Sequence, residues 1–309
     1  MFPIDELICI LKGQGLVDVQ SAVEYFRRAL FWTCIEDSPS LLLADGSPVE
    51  VSLVSSNGSV RVAVDGASPL LSPKKRFQTA YSLFTSFDSK WCEFDWNAAS
   101  RLLFDEAKWT CWHGVRIDGY GRLNLKLYLE LNSYPPFFNL DQSEGFLANH
   151  HPVMLGINFD ENQRIELEWY YALSNPTAGF IKCFLRAFNI ENCFNQIWDV
   201  VEVLYPYKLV NSSPSEFVGL SFSTNEDFRS DTANDTTVFM PLSAFFGSDL
   251  NIHEKILEML PQSFVPAYLN SIGKIEALSS VGGDRFGLLG IRAKADRHTP
   301  VWYISYSHH

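Results

Sequence analysis

The chain has 309 residues, with 24 Lys and Arg against 36 Asp and Glu, so its formal net charge is −12. Apolar residues make up 47% and charged residues 19%, a globular composition that can bury a core without disulfide staples. The acidic balance argues against a general phosphate-backbone binder, which needs a basic field, yet leaves room for a local cluster around a small anion. No apolar run approaches the roughly 20 residues of a membrane-spanning helix. The N-terminus, MFPIDELICILKGQG, carries acids early and has no basic n-region, so no signal peptide is expected. Cys9, Cys34, Cys92, Cys111, Cys183 and Cys193 show no CxxC pair and no regular spacing, which fits free thiols in a reducing cytosol.

In chain order, Ile4–Phe31 reads as one or two helices. Five β-hairpins follow. The first has arms Val49–Val54 and Lys75–Phe84, joined by a Ser-, Gly- and Pro-rich loop. The second is Trp109–Ile117 with Arg122–Leu131, around the turn Asp118-Gly119-Tyr120-Gly121. The third is Val153–Phe159 with Arg164–Leu173, and the fourth Glu216–Ser223 with Thr236–Met240. The fifth is Phe286–Lys294 with Pro300–Tyr306. Asx- and Gly-rich turns between alternating runs are the basis for these assignments. Helix-capable segments lie between them, at Trp91–Glu106, Phe137–His150, Ala178–Val203 and Ile252–Leu278. Hairpins recurring roughly every 45–65 residues suggest a repeated supersecondary unit. No linker divides the chain, so a single domain over residues 1–309 is expected.

Strand alternation is the most informative feature. Leu123, Leu125, Leu127, Leu129 and Leu131 share one face, opposite Arg122, Asn124, Lys126, Tyr128 and Glu130. The third hairpin sets Ile165, Leu167, Trp169, Tyr171 and Leu173 against Arg164, Glu166, Glu168 and Tyr170. Two architectures satisfy this pattern. An open α+β sheet would turn its polar face to water. Alternatively, ten antiparallel strands close into a barrel with helices outside and a polar lumen, wide enough to hold a cavity and free of exposed edges. Tyrosines among the polar positions favour the enclosed version.

The segments VEVSLVSSNGSV, KKRFQTAYSLF, WHGVRIDGYGRLNLKLYLELNSYPP, MLGINFDENQRIELEWYYAL, EFVGLSFS and DRHTPVWYISY follow one another along the whole chain. In this order they resemble the ABBA prenyltransferases, α/β barrels built from repeated ααββ units, and most closely the cyanobactin-type peptide prenyltransferases. That resemblance implies transfer of an isoprenyl group, C5 or C10, from its allylic diphosphate to a nucleophilic side chain of a ribosomally made, macrocyclic peptide. It implies Glu50 as the catalytic carboxylate, and Arg76, Lys126 and Arg297 as the diphosphate grip; Arg292 is a further candidate for that grip. Tyr128, Tyr170 and Tyr303 would shield the prenyl cation. Mg²⁺ would arrive with the diphosphate, since no DDxxD-type pair is present to chelate it. A cytoplasmic monomer without nucleic-acid or membrane partners is expected. Two departures from the family stand out: Glu130 replaces a basic residue, and Ser55–Lys74 reads as an insertion forming an extra flap.

The chemistry needs these residue types. Fixed Arg and Lys donors stabilise the leaving diphosphate, and tyrosine faces attract an allylic cation and exclude water. Glu130, Glu166 and Glu168 project to the side of Lys126 and Tyr170, which slightly favours a cationic acceptor such as an arginine guanidinium over Tyr, Trp or His, all of which stay open. The same carboxylates could instead pair with Arg116 and Arg164. A small aromatic metabolite as acceptor and a non-catalytic ligand-binding barrel are the competing functions. Cys111 and His113 lie on one strand face without further ligands, and read as packing rather than metal binding.

Overall fold

The computed structural model describes residues 19–36, 38–42, 47–55, 60–117, 122–132, 151–159, 163–174, 177–200, 217–225, 233, 235–242, 246, 249–266, 268–270, 286–294 and 300–307. Ten strands form one sheet that closes on itself. They are β1 (Val49–Val54), β2 (Val60–Val64), β3 (Cys111–Ile117), β4 (Leu123–Glu130) and β5 (Met154–Phe159). Then come β6 (Ile165–Ser174), β7 (Phe217–Asn225), β8 (Asp235–Pro241), β9 (Phe286–Lys294) and β10 (Val301–Ser307). Each strand pairs antiparallel with its neighbours in sequence, and β10 returns to β1 between Glu50↔Ser307 and Val54↔Tyr303. The open-sheet alternative is thereby excluded.

Period-two alternation decides which face looks inward. Val60, Val62 and Val64, Leu125, Leu127 and Leu129, and Trp169 and Tyr171 are buried on the outside of the wall, beneath helices. The covering helices are α1 (Gln20–Ala29), α2 (Pro73–Phe87), the short α3 (Lys90–Glu93) and α4 (Trp96–Ser100), α5 (Ala178–Ala187) and α6 (Asp249–Met259). Their apolar residues recur at three to four positions, as in Phe77, Ala80, Leu83 and Phe84 of α2 and Ile181, Phe184 and Leu185 of α5. Thr177 caps α5 by accepting the Phe180 N–H at 3.2 Å. Aromatic pairs lock the layers together: Tyr171 meets Phe184 edge-on at 4.9 Å, and Phe188 stacks on Phe222 at 3.6 Å. Each fully buried Leu or Phe here contributes roughly 1.5–3 kcal/mol.

Four hairpins lie where the sequence places them. The first does not. Lys75–Phe84 belongs to helix α2, and the second strand is Val60–Val64, inside the stretch read as a loop. Pro73 sits in the first helical turn, where its missing N–H costs nothing, after an extended Ser72. Ser55–Lys74 is accordingly no insertion: it holds a wall strand and its connection to α2. Trp91–Glu106 forms α3 and α4, while Phe137–His150 falls outside the described residues. Cys92, Cys111, Cys183 and Cys193 are free thiols, as expected. Among the described residues, no helix is long and apolar enough to cross a membrane.

Candidate active site

The inner face carries the polar half of every alternating strand, sorted along the barrel axis. At the end where β1 begins, the register places Glu50, Ala63, Trp112, Glu130 and Met154. Arg116, Asn124, Asn158, Glu166, Asp235 and Lys294 occupy the opposite end. Between them lies a layer rich in phenols and cations.

Lys126 is the centre of that layer. Its Nζ forms an ion pair with Glu168, donates to Tyr170 Oη at 3.1 Å, and lies 5.2 and 5.5 Å from the ring centroids of Tyr128 and Tyr170. The two phenol rings meet edge to face at 5.8 Å. Gly114 and Gly156 on the flanking strands make this possible. A Cβ at Gly114 would lie 2.8 Å from Tyr128 Cε2, and one at Gly156 would collide with Lys126 Cε. Burial works against charge on Lys126, but Glu168 and Tyr128 outweigh it and raise its pKa. Burial likewise opposes the Glu168 carboxylate, yet Lys126, Arg292 and the Ser221 hydroxyl, which donates to it at 2.5 Å, hold its pKa at about 2. Burial and the adjacent Glu168 push the Tyr170 phenol well above its ordinary value, so it stays protonated.

Two further cations complete the layer. Arg292 pairs with Asp235 and lies 4.0 Å from Glu166, and Lys294 lies 3.9 Å from the same Asp235. Arg61 donates to Tyr303 Oη at 3.2 Å and lies 4.4 Å over its ring. Its cross-strand neighbour is Arg116. Phe239 faces Gly219 and Gly290 across the wall and sits 5.7 Å from the Tyr170 ring.

The sequence pattern alone does not single out Arg61, because Ser, Gly and Pro around its strand read as loop; the alternation of Val60, Val62 and Val64 is the signal that marks it.

Comparisons with known proteins bear on the architecture. No family model and no curated protein sequence matches the chain. Solved structures do. The 5-dimethylallyltryptophan synthase from Streptomyces coelicolor superposes with a TM-score of 0.74 at 14% identity, covering 99% of this chain and 96% of that one. The prenyltransferase PriB, in a ternary complex with L-tryptophan and dimethylallyl thiolodiphosphate, gives 0.72 at 14% identity, covering 98% and 94%. AnaPT from Neosartorya fischeri gives 0.61 at 12% identity, covering 99% and 91%. The barrel is the ABBA prenyltransferase fold.

Within this ABBA barrel the expected site residues divide. Glu50, Lys126, Tyr128, Glu166, Glu168, Tyr170, Arg292 and Tyr303 all belong to the inward face. Arg76 does not. It lies on α2, 1% exposed, between helix and wall. Its guanidinium pairs with Asp65 and donates to the carbonyls of Ala67 at 2.8 Å and Trp109 at 3.0 Å. Its donors are spent on the scaffold, so it leaves the diphosphate grip. Glu130 is also reassigned. Its carboxylate accepts the backbone N–H groups of Lys108, Trp109 and Thr110 at 3.2, 2.7 and 3.0 Å, where Thr110 takes a left-handed φ of 62°. It braces the chain entering β3. Arg297 lies outside the described residues. Glu166 and Glu168 face Arg292 and Lys126, so the acidic wall is already largely neutralised.

Cys111 and His113 are buried on the outer face, where His113 Nδ1 is 2.9 Å from Tyr25 Oη. Burial, aided by Arg76, lowers the His113 pKa to about 3, and burial pushes the Cys111 thiol up to about 12. Among the described residues no group of three or more His, Cys, Asp or Glu is placed to hold a metal.

Proposed function

We propose that the chain is a prenyltransferase that moves an isoprenyl group, C5 or C10, from its allylic diphosphate to a nucleophilic acceptor inside the barrel. The observation that carries this reading is the enclosed layer in which Arg61, Lys126 and Arg292 stand beside the phenols Tyr128, Tyr170 and Tyr303. As the allylic C–O bond breaks, its electron pair leaves with the diphosphate, whose growing charge meets fixed cationic donors in a water-poor space. The cation left behind is attracted to tyrosine faces by roughly 0.5–2 kcal/mol each. Tyr170, held neutral, is a poor competing nucleophile. The acceptor's electron pair then closes the new bond, and its proton passes to Glu50. Glu168, at about pKa 2, is too weak a base for that step and serves as the counter-ion of Lys126.

The donor set does not suit a resident Mg²⁺, because Glu168 and Asp235 are each engaged by a cation. Mg²⁺ enters this reading only as a counter-ion carried by the diphosphate substrate. For the acceptor we favour an aromatic side chain of a ribosomally made peptide over arginine, since Glu130 and Glu168 are already engaged and Glu166 has Arg292 4.0 Å away. A free aromatic amino acid is the second reading, supported by neighbours named as tryptophan synthases. The chain is taken to act as a cytoplasmic monomer, one barrel domain over residues 1–309.

The test is mass spectrometry of linear and cyclic peptides, mixed with free tryptophan, after incubation with C5 and C10 diphosphates. A mass gain on one acceptor class and its loss in Glu50→Gln support the reading. Ligand binding without diphosphate release, unchanged in Glu50→Gln, would replace it with a non-catalytic barrel.

A further inference from the structure

The wall next to Glu50 is irregular. Strands β9 and β10 pair regularly from Val301↔Arg292 to Ile304↔Leu289, but the next pair is Tyr306↔Phe286. Gly287 and Leu288 therefore oppose the single residue Ser305, which is a β-bulge in β9. Such bulges re-aim side chains and are common beside active sites. Ser305 secures this one: its buried Oγ accepts the Leu288 N–H at 2.5 Å. Beyond the bulge, Phe286 returns to the outside and meets Tyr306 at 5.1 Å between ring centroids.

The bulge brings the backbone of Gly287 against the Glu50 carboxylate, although one strand lies between β9 and β1. A Cβ at Gly287 would stand 2.6 Å from Ser305 Oγ and 2.9 Å from Glu50 Oε1. Two oxygens thus fill the space a side chain would need. Ser305 is tied to the bulge, whereas the Glu50 carboxylate is the end of a flexible chain, so an added methyl would displace the carboxylate.

We infer that the Gly287–Leu288 bulge is the seat of the Glu50 carboxylate, and that Gly287 and Ser305 are positioning residues for its proton-accepting step. This rests on the reading of Glu50 given above. The seat selects for the length of glutamate: an aspartate at position 50, one methylene shorter, would not reach it.

The experiment is a kinetic cycle with Gly287→Ala, Ser305→Ala, Glu50→Asp and Glu50→Gln, using C5 diphosphate and the acceptor that wild type modifies. Gly287→Ala is expected to lower kcat by about 10²-fold, the scale of a 1 Å misplacement. KM for the diphosphate should hold, because Arg61 and Lys126 are untouched, while the acid limb of the kcat–pH profile shifts. Added to Glu50→Asp, Gly287→Ala should cost less than threefold more, since the seat is already empty. Full additivity, or wild-type kcat in Gly287→Ala with Glu50→Gln inactive, overturns the seat alone. Wild-type turnover in Glu50→Gln overturns the base assignment and the seat with it. Should Gly287→Ala not fold, Ser305→Ala takes its place, with an expected tenfold loss of kcat that is likewise non-additive with Glu50→Asp; additivity there overturns the seat.

Discussion

Replacing Lys126 with methionine separates its two tasks. Lys126 and Glu168 are 13% and 14% exposed in their side chains, so each is the other's main compensation in a low-dielectric lumen. Removing one partner of such a pair costs about 3–5 kcal/mol, chiefly from the stranded charge. The Ser221 hydroxyl still donates to Glu168, which points to the lower end, about 3 kcal/mol. At about 2–4 °C per kcal/mol this lowers Tm by roughly 6–12 °C. Turnover should fall by about 10²–10³, as for loss of one donor to a developing anion. Lys126→Met with Glu168→Gln removes both charges at similar volume, so stability should return close to wild type while kcat stays low. Thermal melts and steady-state kinetics with C5 diphosphate check both parts. A Lys126→Met protein that melts like wild type would refute the ion-pair argument; a double variant with wild-type kcat would refute the role towards diphosphate.

Three further outcomes follow from named contacts. Arg76→Met should cost at least about 3–5 kcal/mol, because Asp65 is left buried without its cation, yet leave KM for the diphosphate unchanged in protein assayed in the cold. A raised KM with an unchanged Tm would return Arg76 to the substrate. His113 binds its proton near pH 3 when folded and near 6.5 when unfolded, so between these values the unfolded state holds more protons and stability falls as pH drops. Urea unfolding between pH 6.5 and 5 should show this loss, up to about 1.4 kcal/mol per unit, flattened in His113→Gln; Glu168 contributes with the same sign only below its ordinary 4.5. Phe239→Ala should raise the preference for C10 over C5 diphosphate by at least about tenfold, since the ring occupies the space left by Gly219 and Gly290. Paired kcat/KM measurements with the two donors decide it.

The barrel was legible because alternation is written along each strand: Arg122–Leu131 alone states which side chains go in and which go out. What misled was local composition. The five residues of β2 are flanked by Ser, Gly and Pro, so their Val-Arg-Val-Ala-Val pattern reads as loop, while Lys75–Phe84 reads as a strand only if Pro73 and the spacing of Phe77, Ala80, Leu83 and Phe84 are passed over. Arg76 failed for a related reason, since its face depends on whether its element is helix or strand. The partners of Glu130 are backbone N–H groups, which no side-chain pattern reveals. The seat of Glu50 requires a register shift between β9 and β10, which alternation within either strand does not show.

On the proposed function, an acidic chain would hold a diphosphate because the sign that matters is local. Closing the sheet gathers alternate side chains from all ten strands into one low-dielectric space, where burial works against the charge of an unpaired lysine. Glu168 prevents this by keeping Lys126 charged before any ligand arrives, while Asp235 pairs with the Arg292 guanidinium, which is charged in any case. Those pairs also limit what Lys126 and Arg292 add to ground-state affinity, since an arriving anion must compete with an internal carboxylate. Arg61 differs: its hydrogen bond and its ring contact both go to Tyr303, so an anion there displaces no carboxylate. On the proposed function Arg61 would mainly set binding, while Lys126 would act most as the C–O bond breaks and the departing charge outweighs that of Glu168. That division places the stronger attraction in the transition state rather than in the bound ground state, which is the condition for rate acceleration.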